Sequence, residues 1–149
     1  MLPILLILLA SATYANEEIT VELPGGATME MVWIEPGTFV MGSPDSEWGR
    51  GDNPWSTNEG PQHDVRISQG FYLGKCEVTR AQWESVMGTQ PWQDQGDPPH
   101  SPQLPANYIS RRDAQEFIDL LNEAPANGVS FRLPFDAEWE WVRLFCSVD

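Results

Sequence analysis

Positive charge is scarce in this chain: 8 Lys+Arg stand against 22 Asp+Glu, for a net charge of -14 and a pI near 4.3. Such a surface repels phosphate backbones and anionic lipid, which argues against nucleic-acid and membrane-surface binding. Metal-type ligands are equally sparse, with 2 His and 2 Cys in 149 residues. The cysteines, Cys76 and Cys146, form neither a CxxC pair nor any zinc-type Cys/His spacing, and no acidic run has EF-hand spacing. Internal repeats, low-complexity tracts and a linker dividing the chain are also lacking. What is abundant is tryptophan, 7 residues, and proline, 13. That combination predicts a loop-heavy globular domain, because disordered chains are poor in aromatics.

The one long apolar run is at the start, "MLPILLILLASATYA". It is too short to span a bilayer, which takes about 20 residues. Thr13 and Ala15 supply the small residues of a signal-peptidase site, although no Lys or Arg precedes the run. Residues 1–15 are therefore read as a signal peptide of an exported, periplasmic or extracellular protein, and residues 16–149 as the mature chain. Export would permit a Cys76–Cys146 disulfide, but two cysteines alone do not specify a bridge. Cys76 in "FYLGKCEVT" is read as a free thiol in a buried strand.

Short strands are expected at residues 31–34 and 38–41, joined by the Pro36-Gly37 turn, and at 63–67 and 71–77 around Gln69-Gly70. Thr79 with Gln82 forms a capping box for a helix whose apolar face is Trp83, Val86 and Met87, stopped by Gly88. Ser110 with Asp113 caps a second helix carrying Ala114, Phe117, Ile118 and Leu121 at i, i+3, i+4 and i+7. A strand at 131–133 and a final helix from about Asp136 follow. Two long loops, residues 44–61 and 89–105, lack periodicity.

Several residues invite a functional reading. His63, beside Asp64 and near Glu59, is read as a strand-start residue hydrogen-bonded to backbone rather than as a metal or acid/base group. His100 is read as solvent-exposed. Arg50-Gly51-Asp52 spells an adhesion tripeptide, a pattern that chance supplies often. Trp48, Trp55 and Trp92 are expected to pin long loops to the body rather than to form a sugar or peptide platform. Glu17-Glu18 and Asp45/Glu47 are read as solvated faces, with weak calcium binding as the alternative.

Four blocks, "MVWIEPGTFVMGS", "EGPQHDVRISQGFYLGKCEVTRAQWESVMG", "DAQEFIDLLN" and "FRLPFDAEWEW", follow one another in the order seen in formylglycine-generating enzymes. The chain resembles the N-terminal part of that sulfatase-modifying-factor domain over residues 29–141. The resemblance implies an α+β, C-type-lectin-like fold, incomplete here, of short antiparallel strands, two or three helices and long loops. It also implies oxidation of a sulfatase cysteine to formylglycine, using O₂ and copper held by two cysteines. In the family those cysteines, the structural calcium sites and a "GNVWEW"-like block lie in the C-terminal half, which has no counterpart here. No catalytic, cofactor or metal residue is therefore assigned to this chain, and two His exclude the three-histidine iron site of ergothioneine-synthase relatives.

Two departures from the family pattern are local. Phe135 stands where "LPTEAEWE" has its capping Thr, so Asp136 is expected to cap one position later. Arg111 and Arg112 replace the Trp and acid of "SWEDA". After Trp141 the tail "VRLFCSVD" leaves the family pattern, as a truncated or frameshifted end would. Trp139, Trp141, Leu144 and Phe145 are then expected to be exposed. The chain is expected to be inactive alone, with a sulfatase-type protein as the substrate implied for the family. The alternative is a non-catalytic lectin-like binding module.

Overall fold

The computed structural model describes residues 7–9, 18–44, 60–93, 95, 101–123 and 129–146. The alternation in "TMEMVWI" dictates its central element. In β3 (Thr28–Ile34), Met29, Met31 and Trp33 turn inward and are buried, while Thr28 and Glu30 face water. Strand β2 (Glu18–Glu22) pairs antiparallel along it, from Glu18 opposite Val32 to Glu22 opposite Thr28. A 3-10 turn at Pro24–Gly26 connects the two. Gly25 in that turn has φ 83°, and a Cβ there would collide with the Ser85 carbonyl, so glycine is required twice over.

On its other side β3 pairs with β6 (Phe71–Gly74), whose four residues are all buried. Two short strands complete the sheet, β1 (Ile7–Leu9) and β7 (Ser130–Arg132), in the order β2-β3-β6-β1-β7. Strand β1 falls inside the segment read as a leader. A separate two-stranded sheet pairs β4 (Gly37–Met41) with β5 (His63–Ile67). The strands flanking Pro36-Gly37 are thus not partners, nor are those flanking Gln69-Gly70. Each turn carries the chain from one sheet to the other.

Three helices accompany the sheets: α1 (Arg80–Met87), α2 (Arg111–Glu123) and α3 (Asp136–Cys146). The chain forms two compact units, one of Met1–Glu35 with Phe71–Pro134 and one of Pro36–Gly70 with Phe135–Asp149.

In the first unit, the inward faces of β2 and β3 meet α1 and α2 in one apolar cluster. Trp83 lies flat on Phe117, ring centroids 5.2 Å apart and planes 4° from parallel. Trp33 meets Tyr72 edge-on at 5.0 Å. Ala114, Phe117, Ile118 and Leu121 are all buried, as their spacing requires. In the second unit, Trp141 of α3 packs on Phe39 of β4 at 5.4 Å, and its ring lies so close to Gly37 that no Cβ fits there. Trp141 is therefore docked, not exposed as the family-departing tail implied. Trp139 is half-buried, while Leu144 is 51% and Phe135 65% exposed. The side chain of Phe145 lies outside the described residues.

Helix starts differ between the units. Thr79 and Gln82 exchange backbone bonds as a complete box, at 3.3 and 2.8 Å, and Gly88 closes α1 in the left-handed region at φ 66°. Ser110 and Asp113 do the same for α2, at 3.2 and 2.9 Å, and the Ser110 hydroxyl also donates to Asp113 at 2.7 Å. For α3 the expected shift of the cap to Asp136 does not occur. The Phe135 carbonyl already accepts the first helical bond, from Trp139 N–H at 3.0 Å, so Phe135 holds the cap position. Glu138 still accepts from Phe135 N–H at 2.8 Å, and half of the box survives the loss of the hydroxyl.

Candidate functional site

Within the first unit, the end of β6, the start of α1 and the turn before β3 enclose a cleft of about 440 Å³. Its polar lining includes Glu30, Lys75, Glu77, Gln82 and Gln103, with the Cys76 thiol beside them. Strand β6 ends at Gly74, and Lys75 N–H makes the last pairing bond, to the Glu30 carbonyl at 3.0 Å. The chain then bends, so Cys76 is an exposed free thiol and not the buried strand residue expected. "FYLGKCEVT" misleads because its apolar content continues past the glycine that ends the pairing. The buried residue that follows the bend is Val78.

Lys75 Nζ contacts Glu18 Oε2 at 2.8 Å and Glu30 Oε2 at 3.9 Å. The hydrogen bond to Glu18 and its charge hold the Lys75 ammonium above the usual lysine range. All three side chains are water-exposed, so the pair contributes little to stability. Gln82 ties the cleft floor together: its amide donates to the Thr28 carbonyl at 2.8 Å while its oxygen caps α1.

The other weighed residues occupy structural posts. His63 opens β5, exposed, with Nδ1 3.0 Å from the Pro61 carbonyl, so that nitrogen carries the proton. This matches the backbone-bonded reading. Asp64 beside it is exposed. Glu18 is paired with Lys75 rather than gathered with other acids, and no group of three or more His, Cys, Asp or Glu converges among the described residues. Hydrogen bonds from Ser110 hold the Asp113 carboxyl below the usual range, a capping effect. Arg111 and Arg112 are exposed. Trp48, Trp55, His100, Glu17, Asp45, Glu47, Glu59 and the Arg50-Gly51-Asp52 tripeptide lie outside the described residues, as does the side chain of Cys146.

Trp92 is buried and pins its loop as expected, but its partner was not legible. Arg80, itself buried, places its guanidinium 5.1 Å from the Trp92 ring centre and donates to Asn107 at 3.2 Å. Its backbone N–H reaches the Leu104 carbonyl at 2.9 Å, so one residue fastens two stretches of loop to α1. Asn122, near the end of α2, has a role that the sequence does not signal. Its side chain donates to the Phe131 carbonyl at 2.9 Å and accepts from Phe131 N–H at 2.8 Å. An asparagine side chain thus takes the place of a neighbouring strand along the outer edge of β7.

This arrangement has relatives. PvdO from Pseudomonas aeruginosa is similar in structure, with a TM-score of 0.53 and 25% identity over 73% of this chain. That similarity spans 45% of the PvdO chain, less than half its length. A comparison with curated proteins found no match. The short antiparallel strands and three helices agree with the α+β fold expected from the four blocks. Residues 18–142 match the model of the Sulfatase-modifying factor enzyme 1-like domain, and the chain belongs to that family.

Proposed function

We propose that this chain is a scaffold portion of a formylglycine-generating-type domain, framing a surface for a polypeptide substrate without supplying the oxidising centre. The observation that carries this reading is the state of Cys76. The copper site that the family implies is built on two thiolates converging on one ion, soft donors of the kind that copper(I) prefers. The chain has only two cysteines, Cys76 and Cys146, and Cys76 is a free, exposed thiol beside Lys75 and Glu77, with no second thiol among the described side chains. A single described thiol supports the reading that this chain does not by itself hold the copper that the family implies. The structural employment of Thr79, Gln82, Arg80, Asp113 and Asn122 further supports a framing role.

In this reading the protein is exported with residues 1–15 removed, and its partner is a sulfatase-type protein. No helix among the described residues is long and apolar enough to cross a membrane. The polar cleft beside Lys75 favours a second reading, a non-catalytic binding module. Copper(I) titration against a chromogenic chelator tests the scaffold reading. The chain is expected to leave copper with the chelator, and to do so equally after Cys76→Ser. Tight one-to-one capture lost in that variant would overturn it.

A further inference from the structure

The position of β1 in the first unit has a consequence for partners. Strand β1 runs between β6 and β7 and pairs antiparallel with both: Ile7 faces Leu73 and Arg132, Leu8 faces Tyr72 and Phe131, and Leu9 faces Ser130. Strands β6 and β7 are not paired with each other. Yet residues 7–9 precede the family match, which begins at residue 18. The matched residues thus build a sheet with one internal strand position that they do not fill themselves.

The backbone shows what that position must satisfy. Asn122 takes both polar groups of Phe131 on the outer edge, so the alternation of an antiparallel ladder turns those of Ser130 and Arg132 toward β1. On the other side, Lys75 N–H bonds Glu30, and by the same alternation Leu73 faces β3 while Tyr72 faces β1. Removing β1 would leave the N–H and C=O of Tyr72, Ser130 and Arg132 without their strand partner, and Tyr72 is a buried residue.

We propose that this position is a strand-exchange site. Residues 7–9 fill it while the leader is attached, and after leader removal it receives a short extended apolar strand from another polypeptide. The occupant pairs antiparallel with both β6 and β7, as the apolar residues 7–9 do. The net charge of -14 selects a segment flanked by Lys or Arg over one flanked by acids. The vacating of the position by leader removal and the choice of a partner polypeptide rest on the scaffold reading; the pairing of β1 with β6 and β7 does not.

Leu8→Pro in the full chain tests it, because proline removes the N–H that faces β6 and breaks the strand. Amide hydrogen exchange at Tyr72, Ser130 and Arg132 is expected to accelerate roughly tenfold while Leu73 stays protected. A synthetic peptide carrying residues 4–10 between paired lysines is expected to restore protection at those three amides. Unchanged exchange in the variant, or acceleration that the peptide does not reverse, would overturn the proposal. If the variant loses its fold, recovery of near-ultraviolet circular dichroism on adding the peptide supports the slot, and no recovery sinks it. Protection regained by raising chain concentration alone would assign the slot to a second copy and contradict the proposal. Formylglycine production by the chain would end the scaffold reading yet leave these amides as they are.

Discussion

In the first unit Trp83 stacks on Phe117 inside a cluster that draws on two helices and the strands β2, β3, β6 and β7. In the second, Trp141 leans on Phe39 above a two-stranded sheet, while Phe135, Leu144 and Val40 stay more than half exposed. Two-stranded sheets are marginal by themselves, and α3 begins with half a capping box where α1 and α2 have whole ones. The difference teaches where this chain invests its stability. The first unit closes one core, whereas the described residues of the second unit keep three large apolar side chains more than half exposed.

The contrast can be broken at its strongest point by Trp83→Ala. Removing a fully buried indole from a stacked pair is expected to cost about 3–5 kcal/mol, read as a lowered urea midpoint. A loss below about 1 kcal/mol would mean the first unit's core is not closed around that ring. Next in size is Asn122→Ala. It strips both polar groups of Phe131 of their edge partner and is expected to cost roughly 2–3 kcal/mol by the same measurement. The smallest change sharpens the comparison in the other direction. Phe135→Thr restores the missing hydroxyl and is expected to add about 0.5–1 kcal/mol and to slow amide exchange in the first turn of α3. No change there would place the weakness of the second unit elsewhere than in the cap.

Local patterns carried much of this fold. The apolar spacing of α2, both capping boxes and the stop at Gly88 are readable because each depends on residues within a turn or two. Sheet membership was not readable, since nothing near Pro36-Gly37 distinguishes a hairpin from a passage between sheets. Burial of Cys76 was misjudged for a similar reason: the pairing that ends at Gly74 is set by β3, far away in sequence. The partners of Arg80 and Asn122 depend on loops and strands that only the folded chain brings together. The apolar start of the chain reads equally well as a leader and as a strand, and composition does not separate the two. His63 and Trp92 were legible because their tasks, a strand start and a loop anchor, are local.

The central claim, a frame without the oxidising centre, meets its most direct test in a turnover assay. The full chain is incubated with copper(I), O₂ and a Cys-x-Pro-x-Arg peptide, and the peptide is read by mass spectrometry and by an aldehyde-specific probe. The account predicts an unreacted cysteine and no aldehyde, before and after Cys76→Ser. Accumulation of an aldehyde-bearing peptide, abolished by that substitution, would contradict it.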